Sequence, residues 1–356
     1  MRKKDLNVQK KANKNILLVK NLNTKKVYKS FKKKVSQHIG KSSFAIGVSG
    51  GADSLSLAYL SKIYRSEFGN KIHTLIINHK IRSEGAKEAK KVRLMLKQKG
   101  IESIILTWKG KKPKKNIQSH ARKIRYGLIS EYCRKNNINY LITAHHQDDQ
   151  IENFFIRLFR GSGLAGLSSM GEVSKFSENL KIVRPLLSVE KKQLLNITTS
   201  FFKTFIKDPS NKDDKFLRTR IRKYRKNLDK EGFDTNKISK TVSNLLTAKN
   251  SLDFYKQKAL QNNVNFLSKN ICIINSKIFI DEAEEVIFRA VSDVLSLVSG
   301  SYYPPRSKKI INLISRLKAK NFKKSTLGGC IIEKNDAFIL ISREVKTRMF
   351  STQNKH

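Results

Sequence analysis

The 356 residues suffice for one large domain with its own core and a smaller second one. Lys and Arg total 74 against 28 Asp and Glu, a formal net charge of +46 that exceeds solubility needs and points to polyanions, RNA or DNA first, even where a Lys-, Asn- and Ile-rich composition accounts for part of it. No run approaches the roughly 20 apolar residues of a membrane span, so no membrane partner and a cytoplasmic location are expected, and three isolated cysteines, Cys133, Cys272 and Cys330, exclude a zinc ribbon, an iron–sulfur cluster or a dithiol centre.

The first 41 residues hold 14 basic side chains and one acid, Asp5, too little apolar surface to fold alone; residues 1–24 are expected to form a flexible basic arm. The apolar run Phe44–Val48 then reads as a strand entering the turn Ser49-Gly50-Gly51-Ala52-Asp53-Ser54, with a helix from Ser54 to Ser66. Two glycines let backbone N–H groups approach an anion, the serine hydroxyls add donors, and the helix start is electropositive. Asp53 would repel a phosphate unless a cation bridges the two. The turn therefore reads as a nucleotide phosphate site.

Strand and helix then alternate. Ile72–Ile77, Ser103–Trp108 and Ile138–Thr143 read as strands; Glu84–Lys99, Ile117–Asn136 and Asp148–Phe159 read as helices. Apolar strands separated by amphipathic helices predict an α/β fold, a parallel sheet with helices on both faces, which binds ligands beyond the carboxyl ends of its strands. The Ser49 turn, Asn78-His79 and His145-His146 all fall at such ends. A boundary is expected near residues 225 to 240, giving an α/β domain over 25–225 and a mainly helical domain over 226–356. That second part carries helices at Ile238–Leu260, Glu284–Leu297 and Ser307–Lys318, strand-like runs at Ile271–Ile274 and Ala337–Ile341, and a turn at Gly328-Gly329.

Thr143 to Glu152 delivers two histidines from a strand end and opens the next helix with acids. Asp149 and Glu152, three apart, share a helical face and can hold a cation or an ammonium group together. Capping accounts for Asp148 but not for Glu152 or the paired histidines. Arg122 and Arg125 could face phosphate or a carboxylate or lie on a solvated helix face; Arg157 and Arg160 beside Gly161-Ser162-Gly163 form a basic, glycine-bearing loop too generic to assign alone; Arg218, Arg220 and Arg222 after Asp208-Pro209-Ser210-Asn211 could contact RNA backbone or be surface charge.

The Ser-Gly-Gly-Ala-Asp-Ser turn resembles the PP-loop of ATP pyrophosphatases and lacks the Gly-Lys-Ser/Thr of a Walker A loop. Ala144-His145-His146 through Asp148-Asp149 to Glu152, Arg157 through Arg160 to Leu167, Arg184-Pro185-Leu186-Leu187, and Asp208 to Asn211 with its trailing arginines resemble the tRNA(Ile)-lysidine synthases, in that family's order over residues 44 to 222. The chain departs from the family pattern at Asn78-His79-Lys80-Ile81-Arg82, where Asp-His-Gly-Leu-Arg is usual, and at Asn153 and Thr219. Its C-terminal region also reads as shorter than in many members.

The resemblance implies ligation of free L-lysine to C2 of the wobble cytidine in the CAU-anticodon isoleucine tRNA, with ATP cleaved to AMP and pyrophosphate through an adenylated tRNA. It implies ATP binding at Ser49, Gly50, Gly51, Ala52, Asp53 and Ser54, with Asp53 on Mg2+. It implies lysine binding at Asp149 and Glu152, with Arg125 and His145 nearby, and substrate contacts at Arg160, Arg218 and Arg220. Catalysis would rest on Asp53, Asp149, Glu152 and His145, and a homodimer is compatible with the family. The alternatives are another PP-loop tRNA enzyme such as a thiolase, or a non-catalytic basic RNA-binding protein.

Overall fold

The computed structural model describes residues 22–81, 84–110, 117–168, 170–206, 217–232, 234–301, 304–319 and 321–344, without the side chains of 118 and 225–230. Most of the expected basic arm, Arg82 and Asp208 to Asn211 lie outside these residues. The chain divides into two compact units, Met1–Leu246 and Thr247–His356.

Helix α1 (Leu22–His38) opens the described part of the first unit. Thr24, Val27, Phe31 and Val35 recur at helical spacing and are buried, so Leu22 to Thr24, the end of the expected arm, belong to this helix. There follow β1 (Phe44–Gly47), α2 (Ala52–Phe68), β2 (Ile72–Asn78), α3 (Gly85–Gln98), β3 (Ile104–Thr107), α4 (Ile117–Lys135), β4 (Tyr140–Ile142), α5 (Gln147–Leu158), α6 (Leu164–Leu167), β5 (Val173–Lys175), β6 (Lys181–Val183), α7 (Lys191–Phe202) and α8 (Leu217–Lys230). The strands form one six-stranded sheet in the order β3-β2-β1-β4-β6-β5. All neighbours run parallel except the edge pair β5–β6.

β1 lies at the centre, Ala45 opposite both His73 and Leu141. Phe44, Ala45 and Ile46 are fully buried, which is why the strand is an unbroken apolar run and not an alternating one. On one face Phe44 and Ile46 pack with Phe31, Leu57, Leu60, Tyr64 and Leu194; on the other Ala45 and Leu75 pack with Tyr126, Ile129 and Leu141. The carboxyl ends of β1, β2 and β4 thus open side by side, and the motif-bearing segments start there.

Helix α9 (Thr235–Asn263) runs through the division between the units. The second unit then builds β7 (Val264–Ser268), β8 (Ile271–Asn275), α10 (Ile278–Asp281), α11 (Glu284–Ser299), α12 (Ser307–Lys318), β9 (Lys324–Leu327), β10 (Cys330–Lys334) and β11 (Phe338–Arg343). Its strands form an antiparallel sheet in the order β7-β8-β11-β10-β9. Cys272, Ile274, Ile332, Ile339 and Ile341 pack against Val291, Leu295, Ile310 and Leu313 of the helices. The mainly helical reading of this region anticipated β8, β11, α11 and α12, and the Gly328-Gly329 turn does join β9 to β10. It passed over β7, β9 and β10, whose Lys, Ser, Thr and Asn positions interrupt any apolar run.

Candidate active site

After β1 the chain keeps its sheet pairing for one more residue, Val48 N–H donating to Leu75 O at 2.8 Å, and then turns sharply. Gly50 adopts φ +86°, and a Cβ there would lie 2.5 Å from Val92 Cγ2, so backbone conformation and space both demand glycine. Gly51 caps α2, whose first N–H groups form the electropositive start of the helix. The serines shape the turn. Ser54 Oγ accepts from Ser49 N–H at 3.2 Å and donates to Gly51 O at 3.0 Å, and Ser49 Oγ stands 3.3 Å from it. From outside, Ile206 N–H donates to Gly50 O at 2.9 Å and Thr198 Oγ1 to Ala52 O at 2.6 Å.

Asp53, in the first turn of α2, keeps its side chain one-third exposed, while its Oδ1 is buried with no hydrogen-bond partner among the described residues. Its Oδ2 lies 3.6 Å from Nε2 of His146, an imidazole only 2 % exposed. The same Nε2 lies 3.4 Å from Asp149 Oδ2, and Nδ1 lies 3.7 Å from Asp148 Oδ2. Burial opposes charge on His146, but the carboxylates of Asp53, Asp149 and Asp148 outweigh it and hold its pKa above the ordinary value. Asp149 also accepts His146 N–H at 3.2 Å, closing the first turn of α5. His146 thereby links the glycine turn to the acidic start of α5.

Glu152, 2 % exposed, is held by two arginines of α8. Arg222 donates through Nε at 2.5 Å and Nη2 at 3.1 Å, a two-point clamp, and Arg218 Nε lies 3.1 Å from Oε2. Burial disfavours charge on Arg222, yet the bond to Glu152 raises its pKa. Arg218 Nη2 also stands 3.8 Å from Asp149 Oδ1. Arg218 therefore faces these acids, whereas Arg220 and Arg160 are exposed on the surface.

The two other histidines at strand ends are kept neutral. His145 is pushed down to about 4, chiefly by burial, with Arg184, Arg122 and Arg218 adding to the effect against Asp149; its Nδ1 is 2.8 Å from Thr143 Oγ1. His79 is likewise pushed down to about 4 by burial and the charge of Arg125. Arg125 itself, on α4, is exposed. Arg184 is buried and donates to Gly171 O at 2.9 Å and Ser174 Oγ at 3.0 Å.

The structure thus gathers Asp53, Asp148 and Asp149 around His146, joins Glu152 to Asp149 through Arg218, and sets His145 in the field of Asp149; Arg125 acts on His79. Arg222, one of two joints of this cluster with His146, reads from the sequence only as a possible RNA-backbone contact or surface charge. Arg222 lies 70 residues from Glu152, beyond any spacing rule, and His146 is signalled only as half of a His-His pair. Among the described residues no group of three or more His, Cys, Asp or Glu side chains is arranged to hold a metal. The three cysteines are buried in the cores, and burial pushes Cys133 up to about 11 and Cys272 to about 12, which leaves them unreactive.

A parallel sheet whose central strand runs into this glycine turn defines the PP-loop class of ATP-using enzymes, and a PP-loop domain model matches residues 22–227. The chain is 36% identical over 305 residues to a tRNA(Ile)-lysidine synthase of Wolbachia pipientis wMel, covering 84% of this chain and 70% of that protein. It is 34% identical over 307 residues to a tRNA(Ile)-lysidine synthase of Orientia tsutsugamushi, covering 84% and 69%. The chain belongs to the tRNA(Ile)-lysidine synthase family. Among solved structures, a U34-tRNA thiolase from Methanococcus maripaludis shares the fold at a TM-score of 0.56 and 20% identity, covering 64% of this chain and 81% of that one.

Proposed function

We propose that this ligase joins lysine to C2 of the wobble cytidine of the CAU-anticodon isoleucine tRNA, with ATP cleaved to AMP and pyrophosphate. The cytidine O2 is a poor leaving group. Its attack on the α-phosphorus of ATP breaks the α–β anhydride, expels pyrophosphate and leaves O2 adenylated; the neutral lysine ε-amine then attacks C2, AMP departs with that oxygen, and the amine loses its proton. The observation that carries the reading is the link through His146 between Asp53 of the glycine turn, at 3.6 Å, and Asp149 of an acidic helix start, at 3.4 Å, in a chain of this family.

In this reading the Ser49–Ser54 turn and the first N–H groups of α2 hold the leaving pyrophosphate. Mg2+ needs only one or two carboxylates beside phosphate oxygens and water, and Asp53, with its buried Oδ1 lacking a hydrogen-bond partner, fits it; the ion would neutralise phosphate charge there. Asp149 and Glu152 receive the lysine ammonium, the α8 arginines setting how much negative charge these acids present. His145, held neutral, offers a hydrogen bond without adding charge, and Arg125 supplies a cation for the lysine carboxylate or a phosphate. Arg160 and Arg220, exposed, are proposed to face the tRNA. Such a reaction belongs in the cytoplasm; among the described residues no helix is long and apolar enough to cross a membrane.

Mass spectrometry of tRNA incubated with ATP and lysine tests the reading: a mass increase of one lysine less one water at the wobble cytidine is expected. Asp53→Ala should abolish pyrophosphate release while tRNA still binds, and Asp149→Ala should raise the KM for lysine more than that for ATP. Undiminished pyrophosphate release from Asp53→Ala would overturn the assignment of the turn.

A further inference from the structure

The outer face of α3, whose inner face packs near the glycine turn, is a basic stripe with no ion pair among the described residues. Ala89, Val92 and Leu96 are buried against the sheet, while Lys87, Lys90, Lys91, Arg93 and Lys97 are exposed. The helix repeat places these five, together with Leu94, on the opposite half of the helix circumference. None of the five makes an ion pair among the described residues, and the one acid within the helix, Glu88, is half-buried. Some helical cations elsewhere are neutralised, Arg289 by Glu285 and Asp253, Lys256 by Asp293 and Lys32 by Glu67, whereas α3 sets five exposed cations against a single acid.

Like charges three or four residues apart destabilise a helix, and this stripe contains Lys87–Lys90, Lys87–Lys91, Lys90–Arg93 and Arg93–Lys97. A surface that keeps such repulsion is matched by a partner that brings closely spaced negative charge. Leu94, 57 % exposed, sits amid the cations and offers an apolar contact that a bare ion would not use. The location adds direction. Val92, on the inner face, is the side chain that a Cβ on Gly50 would strike, and Gly85, at the start of α3, lies against Asn78 at the carboxyl end of β2. The stripe therefore begins beside the ligand-binding edge of the sheet.

We infer that the exposed face of α3 is a docking track for the ribose-phosphate backbone of RNA, which guides the strand carrying the target base to the glycine turn. The inference rests on the proposed function only in taking the RNA to be the substrate tRNA. Phosphates spaced along a strand neutralise several lysines at once, and each neutralised phosphate releases counterions, so the contact is visible as salt dependence.

The test is tRNA binding without lysine, by filter retention over a range of salt, for wild type and for Lys87→Ala/Lys90→Ala/Lys97→Ala. The triple variant should bind tRNA about tenfold more weakly near 150 mM salt, and its log–log salt slope should be shallower by about 2 to 3, at roughly 0.7–0.9 per lost phosphate contact. Its thermal midpoint should equal or exceed that of wild type, since like-charge repulsion along the helix is relieved, and its affinity for ATP should match wild type. A companion variant lacking the exposed lysines Lys25, Lys29 and Lys33 of α1 should change the slope far less. An unchanged slope in the α3 variant, or an equal loss in the companion, overturns the inference. Wild type that binds tRNA with the α3-dependent slope yet forms no modified base would instead overturn the proposed reaction and leave the docking track standing.

Discussion

A methyl group added to Gly50 has nowhere to go: φ is +86°, Val92 Cγ2 is 2.5 Å from the Cβ position and Ile206 Cδ1 is 3.1 Å from it. Gly50→Ala should cost about 2–4 kcal/mol, the sum of left-handed strain and overpacking, measured by urea unfolding, and should weaken ATP binding at least tenfold in calorimetric titration. His79 makes a prediction in pH. Folded, it takes up its proton only near pH 4, whereas the unfolded chain does so near 6.5, so stability is lost as pH falls from 6.5 towards 4. In His79→Gln that part of the acid loss, about 1–3 kcal/mol, should vanish from the difference between unfolding curves at pH 7 and pH 4. At this scale the glycines, Asp53, Asp149 and Glu152 were legible, because a turn of that composition and two acids on one helical face are local patterns. The arginine clamp on Glu152 was not, since only the folded chain brings α8 beside α5.

The glycine turn is as much a product of α7 as of its own residues. Ser56 Oγ donates to Leu194 O at 2.5 Å and lies 2.7 Å from Thr198 Oγ1, which itself donates to Ala52 O, so a buried polar chain seats the first turn of α2 on α7. Thr198→Val keeps the shape and removes the donor; it should lower stability by about 1–3 kcal/mol and raise the KM for ATP, read from chemical denaturation and steady-state kinetics. Thr198→Ser, which retains the hydroxyl, should recover most of the KM. β1 to β4 were legible because they are continuous apolar runs, whereas β6, a parallel strand of three residues, is too short to stand out. β5, β7, β9 and β10 were not, for a physical reason: Lys175, Lys324, Thr326 and Glu333 alternate with inward residues on strands that have one wet face or lie at an edge, leaving short mixed stretches that a helix or loop would equally accept.

At the scale of the whole molecule, two cores built on different sheets meet different demands. The first holds ATP-handling geometry on the ends of parallel strands; the second is an antiparallel sheet backed by α11 and α12 with no part of the glycine turn. A ligand confined to the first unit stabilises only what it binds, by about 2.7 kcal/mol at a hundredfold excess over Kd. Differential scanning calorimetry should therefore resolve two transitions, with saturating ATP moving one of them upward and leaving the other in place.

The hydrogen bond from Ile206 N–H to Gly50 O joins positions 156 residues apart in the chain. Its consequence is that the nucleotide turn cannot be transplanted as a cassette. Residues 44–68 moved into another scaffold would arrive without the keel that α7 and the strand of chain behind it provide, and the loop would lose its curvature although every motif residue travelled with it.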